Sequence, residues 1–120
     1  MPKILAVDDD ICILELYTEI FTKAGFEIKT AEDALSAVTR YQEFKPDLVV
    51  LDVEMPAGGG QKVFDLLRRV FLVGTPILFS TGKPESVERL GKNYNVSILK
   101  KPVDPQTLIS EVKKLLKMPQ

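Results

Sequence analysis

Histidine is absent from all 120 residues, which removes imidazole as base, nucleophile or metal ligand and excludes phosphohistidine chemistry within the chain. Cysteine occurs once, as Cys12, so no internal disulfide can form, and its neighbours Ile11 and Ile13 predict a buried thiol rather than a reactive one. No apolar run approaches the ~20 residues that a membrane span requires, and no apolar stretch follows a basic leader. An excess of charge of one sign is missing as well. Lys and Arg number 16 against 17 Asp and Glu, interspersed along the chain, so the formal net charge of -1 creates no field that recruits nucleic acid or an anionic membrane. These absences predict a soluble, cytoplasmic protein that binds neither nucleic acid nor membrane.

What is present suffices for one domain spanning residues 1–120. A chain of this length buries roughly two thirds of the surface that it exposes when unfolded. Its centre of organisation is the run Leu48-Val49-Val50-Leu51, which ends in Asp52 and then in a loop stopped by Pro56. Four apolar residues without alternation suit a strand buried on both faces, the habit of parallel sheets covered by helices. Similar short runs occur at residues 3–7, 75–80 and 96–99, and a more exposed, alternating run at 26–30 reads as an edge strand. Between them lie helical patterns: 11–24, capped by Asp10 and stopped by Gly25; 32–44, closed by Pro46, with Ala34, Leu35, Val38, Tyr41 and Gln42 on its face; and 61–71. A short helix is expected over 85–91, and a last one runs from Asp104-Pro105 to about residue 117. Strand and helix alternate throughout, which argues an α/β fold with a doubly wound parallel sheet of five strands.

Four of these strands end in polar groups: Asp8-Asp9-Asp10 after the first, Asp52 after the third, Thr81 after the fourth and Lys101 after the fifth. Each has an unremarkable explanation. Asp8 to Asp10 can cap a helix, Thr81 can hold a turn, and Lys101 can be a solvated surface lysine. Those explanations do not account for all four converging at the carboxyl edge of one sheet, where open parallel sheets bind their ligands. If Asp8, Asp9 and Asp52 meet there, carboxylates about 4 Å apart repel by roughly 4 kcal/mol per pair at an effective dielectric near 20. Lys101 supplies one compensating charge, and a hard dication with oxygen ligands, Mg2+ with Mn2+ as a substitute, supplies the rest. A carboxylate nucleophile, a dication, a lysine and a hydroxyl are the equipment for phosphoryl transfer to an aspartate. The glycines of Ala57-Gly58-Gly59-Gly60 do not form a nucleotide P-loop, because Gln61-Lys62-Val63 follows where Gly-Lys-Ser/Thr is needed.

Taken together, Ile4-Leu5-Ala6-Val7-Asp8-Asp9-Asp10, Val50-Leu51-Asp52-Val53-Glu54-Met55-Pro56, Pro76-Ile77-Leu78-Phe79-Ser80-Thr81-Gly82 and Leu99-Lys100-Lys101-Pro102 resemble the signature segments of response-regulator receiver domains. The resemblance covers the whole chain in order. It implies a flavodoxin-like fold with strand order 2-1-3-4-5. It also implies that Asp52 is the phosphoacceptor, and that Asp8, Asp9, Asp52 and the backbone carbonyl of Glu54 hold Mg2+. Thr81, Gly82 and Lys101 would contact the phosphoryl group, and the bond to Pro102 would be cis. The implied role is a two-component switch rather than a turnover enzyme. A sensor histidine kinase or histidine phosphotransfer protein would donate the phosphoryl group, and a downstream protein would read the result, with the chain a monomer or weak dimer. No output domain is expected within these residues.

Three departures from the family pattern bear on mechanism. The switch pair would be Thr81 and Ile98, where receivers usually place Tyr or Phe three residues before the lysine; Ile98 has no ring to rotate. The segment between Thr81 and Lys101 is a little short, which predicts a truncated or irregular fourth helix. Gly82 replaces the commoner alanine and opens the loop beside the phosphoryl position, while Glu54 and Lys83 sit where the family tunes phosphoryl lifetime. Two other readings compete. A receiver-like binding module would not be phosphorylated. A haloacid-dehalogenase-like phosphatase also uses Asp, Thr or Ser, Lys and acidic ligands, but there the acidic pair follows the lysine, whereas here it comes first.

Overall fold

The computed structural model describes residues 1–52, 74–88 and 95–118. Strands β1 (Lys3–Val7), β2 (Glu27–Ala31), β3 (Leu48–Leu51), β4 (Ile77–Thr81) and β5 (Val96–Lys100) form one parallel sheet in the order β2-β1-β3-β4-β5. This is the doubly wound parallel sheet that the alternating pattern predicts, in the flavodoxin-like order that the resemblance implies. Among the described residues the helices are α1 (Ile11–Lys23), α2 (Ala34–Phe44) and α3 (Pro105–Leu115).

The period of a strand explains the two cores. Alternate residues of β1, β3 and β4 point to opposite faces. Ile4, Ala6, Leu48, Val50 and Leu78 pack with Leu14, Tyr17 and Phe21 of α1 and with Leu108 and Val112 of α3. On the other face, Leu5, Val7, Val49, Leu51, Ile77 and Phe79 pack with Ala37 and Tyr41 of α2. Both faces of β3 and β4 are buried, so their apolar runs do not alternate with polar residues. Each large side chain taken fully out of water, such as Phe21 or Phe79, contributes about 1.5–3 kcal/mol.

Local signals set the helix ends. Asp10 caps α1 by accepting from the Cys12 N–H at 2.9 Å, and Asp104 caps α3 by accepting from the Thr107 N–H at 3.0 Å, ahead of Pro105 in the first turn. At the end of α1, Gly25 takes φ +89°, its N–H donates to the Thr22 carbonyl, and the Phe26 N–H reaches back to Phe21. The two phenyl rings then meet edge to face, closing a Schellman motif with its hydrophobic contact.

Several sequence expectations are corrected. Cys12 is exposed, because α1 buries the stripe Leu14, Tyr17 and Phe21, and at 100° per residue Cys12 lies about 200° from Leu14. The face of α2 is rotated in the same way. Ala37 and Tyr41 are buried, while Leu35 is 80% exposed and Gln42 points outward. Hydrophobicity favoured Leu35, but α2 seats the small Ala37 and the Tyr41 ring on the sheet, and the Tyr41 hydroxyl bonds Thr75. Where a helix was expected over 85–91, a single 3-10 turn, Pro84–Ser86, occupies the described part, and residues 89–94 lie outside the described residues. The expected helix over 61–71, the glycine loop at 57–60 and Glu54 also fall outside them. Among the described residues no helix is long and apolar enough to cross a membrane.

Candidate functional site

The connections between strands place the site. After β1 the chain crosses to β2 through α1 on one face of the sheet; after β2 it returns to β3 through α2 on the other. The chain thus leaves β1 toward β2 and leaves β3 toward β4 on the other side, so the strand order reverses between the neighbouring ends of β1 and β3, the place where open parallel sheets bind ligands. Val7 and Leu51 are paired in register, and the Asp52 N–H donates to the Val7 carbonyl at 3.0 Å. Asp8 and Asp52 thus stand level, each one residue beyond its strand.

Both carboxylates are buried, at 1% and 3% exposure, whereas Asp9 lies open at the mouth. One oxygen from each of Asp8, Asp9 and Asp52 lies within 4.8 Å of the others. Asp8 is held on both sides: Oδ1 accepts from the Asp10 N–H at 2.9 Å, and Oδ2 accepts from Lys101 Nζ at 2.7 Å. Lys101 Nζ is also 3.6 Å from Asp52 Oδ2. Burial by itself works to lower the lysine's pKa, but the bond to Asp8 and the charges of Asp8 and Asp52 outweigh it and hold the ammonium above its usual value.

Lys101 reaches this position from β5 across the end of β4. Its N–H donates to the Thr81 carbonyl at 2.8 Å, so the backbones of the two residues are tied together. The Thr81 hydroxyl is buried and accepts from the Lys83 N–H at 3.0 Å, which makes it the turn-holding residue of the simpler reading, whatever else it does. Gly82 is exposed beside it. Ile98, paired in register with Phe79, packs half-buried against the α2 side of the sheet. The Lys101–Pro102 peptide is cis.

The donor set fits a hard dication. Among the described residues, three carboxylates offer oxygen ligands only, one of them water-accessible, and a single lysine shared between two buried acids leaves negative charge in excess. No histidine or cysteine takes part, which disfavours softer transition metals.

Comparison with known proteins decides the family. The pattern described as the response regulator receiver domain matches residues 4–113. This chain belongs to the receiver family. Its relatives include a CpxR homolog of Haemophilus influenzae, a transcriptional regulatory protein 34% identical over 119 residues, covering 98% of this chain and 51% of the relative. The PhoP alkaline phosphatase synthesis transcriptional regulatory protein of Bacillus subtilis is 35% identical over 117 residues, covering 96% and 48%. The receiver spans about half the length of these curated relatives. Among solved structures, chemotaxis protein CheY4 of Vibrio cholerae superposes with a TM-score of 0.87 at 33% identity, covering 96% of this chain and 98% of that one. Receivers are signalling domains of two-component systems and generally bind Mg2+ in an acidic pocket of this kind.

One pair at the site escaped the sequence reading. The Tyr17 hydroxyl and Ser80 Oγ share a hydrogen bond of 2.6 Å beneath the end of β4. A signal for it existed: a lone serine in the otherwise apolar run Ile77-Leu78-Phe79-Ser80 needs a buried partner, and Tyr17 is the residue with a hydroxyl on the α1 face turned to the same core.

Proposed function

We propose that this receiver is a phosphoacceptor switch in which Asp52 takes a phosphoryl group from the phosphohistidine of a sensor histidine kinase or histidine phosphotransfer protein. The observation that carries this reading is the meeting of Asp8, Asp9 and Asp52 within 4.8 Å, with Lys101 bridging the two buried members. A cluster that serves only to cap α1 needs Asp10 alone.

In the transfer, an Asp52 carboxylate oxygen attacks phosphorus, the P–N bond to the donor imidazole breaks, and that nitrogen leaves with the electron pair. The reverse loss is hydrolysis: water attacks phosphorus, the P–O bond to Asp52 breaks, and the carboxylate and inorganic phosphate are released. Asp8, Asp9 and Asp52, with the Glu54 carbonyl, would hold Mg2+ or Mn2+. When bound, the ion neutralises the carboxylates and draws charge from the phosphoryl oxygens. Lys101 is already charged and needs only to turn from Asp8 toward the new oxygens, gaining a dianionic partner in place of a monoanion. Thr81 and Gly82 line the adjoining strand end and would donate hydrogen bonds to the same group. Ile98 cannot follow Thr81 by ring rotation, so the signal reaches a downstream protein by another route. The setting is the cytoplasm, with the protein a monomer or weak dimer.

Beryllofluoride, a phosphoryl mimic, tests this reading when titrated with Mg2+ into wild type and Asp52→Asn while amide NMR shifts are followed. Wild type should bind with shifts around Asp8, Asp52, Thr81 and Lys101, and the variant should not. Absence of binding in wild type would favour a phosphorylation-independent binding module.

A further inference from the structure

We propose that Tyr17 is a positioning residue for the phosphoryl-transfer site, its hydroxyl acting through Ser80 to hold the Thr81 end of β4 in place beside Asp52; this rests on the phosphoacceptor reading above. Both hydroxyls are taken out of water, with Tyr17 4% and Ser80 1% exposed, on a face otherwise built from Leu14, Phe21, Leu78, Leu108 and other apolar side chains. A polar pair in such a setting is retained only if each group satisfies the other, since an unpaired buried hydroxyl is destabilising. Two apolar residues would fill the same space without that requirement, so packing alone does not explain the pair.

What the bond does follows from what it joins. Ser80 is covalently next to Thr81, whose carbonyl accepts from the Lys101 N–H at 2.8 Å. Lys101 is bonded to Asp8 at 2.7 Å, and Asp8 accepts from the Asp10 N–H at the start of α1 at 2.9 Å. Tyr17 lies on that same helix. The connections therefore close a ring: α1 to Asp8, to Lys101, to Thr81, to Ser80, and through Tyr17 back to α1. Removing the Tyr17–Ser80 bond opens the ring where α1 grips β4 by a directed polar contact. The end of β4 then keeps its ladder to β3 as far as Phe79, opposite Leu51, and its ladder to β5, but Ser80 and Thr81, which lie beyond the last β3 pair, lose their tether to α1 and with it part of what fixes their height relative to Asp8 and Asp52. Phosphoryl transfer depends on placement within fractions of an ångström, so a small shift of Thr81 slows the reaction.

The experiment compares Tyr17→Phe, Ser80→Ala and the double variant with wild type, using acetyl phosphate and Mg2+ for the labelling rate, urea unfolding for stability and a separate Mg2+ titration for metal affinity. Each single variant should label about tenfold more slowly, the loss of one hydrogen bond expressed as a rate, with metal affinity unchanged. The double variant, with neither hydroxyl left unpaired, should regain stability yet remain slow. A structural role alone would not produce that split. Singles that label at the wild-type rate, or a double variant that recovers rate together with stability, overturn the proposal. Wild type that takes no label overturns the phosphoacceptor reading and this inference with it, and that result appears before any variant is compared.

Discussion

Lys101 and Asp8, 93 residues apart in sequence, are joined by a 2.7 Å bond at the carboxyl edge of the sheet. The lysine sits nearer to Asp8 than to Asp52, which lies 3.6 Å away, so its charge serves two buried acids at once. Replacing it by an uncharged side chain of similar length removes the cation that bonds Asp8 and lies beside Asp52. Lys101→Met should lower the stability of the metal-free protein by about 2–3 kcal/mol, below the usual figure for a buried pair because the lysine is partly open to water. Urea unfolding in chelator at low salt measures this. A loss within a few tenths of a kcal/mol would show that water already screens the acids.

The opposite sign is expected for Asp52→Asn. Asp52 loses its attraction to a lysine that it shares with Asp8, but it is relieved of repulsion from both Asp8 and Asp9, which crowd within 4.8 Å. Without metal, the variant should be as stable as wild type or more stable by about 1 kcal/mol, and it should bind Mg2+ more weakly. The same unfolding assay, with and without Mg2+, gives both numbers. A clear loss of metal-free stability would mean that the acids are not in conflict.

Alkaline pH reports on Tyr17. Burial pushes its hydroxyl above the usual tyrosine value near 10, only partly offset by the bond from Ser80. The unfolded chain therefore releases this proton first as pH rises. Stability from this source is complete below about pH 10 and is lost as pH climbs through the raised folded value. Lys101, also raised, acts in the same direction. Unfolding free energies measured from about pH 8 to 11 should fall more steeply above pH 10 in wild type than in Tyr17→Phe. Parallel curves would place the Tyr17 hydroxyl in contact with water.

The parallel α/β sheet and the meeting of Asp8, Asp9, Asp52 and Lys101 were legible from two strong signals, uninterrupted apolar runs and polar residues placed immediately after them, whereas the strand order came only from the resemblance to receiver domains. Helix rotation was less legible. In α2 the choice between Leu35 and Ala37 depends on how closely the helix approaches the sheet, which intrinsic hydrophobicity does not encode; the exposed Cys12 in α1 reflects the same geometry. The Tyr17–Ser80 bond was hidden for a different reason. Its two members are separated by 63 residues, and each is ordinary by itself, a tyrosine on an apolar helix face and a serine in a strand. Only the buried cost of an unpaired hydroxyl marks them as partners.

The most direct measurement is intact and peptide mass analysis after incubation with acetyl phosphate, with and without Mg2+, in wild type and Asp52→Asn. One phosphoryl group should be gained by wild type, located at Asp52, only when Mg2+ is present, and none by the variant. A label on another residue, or the same gain without metal, would contradict the idea that Asp52 is the acceptor in a pocket balanced by Lys101 and a dication.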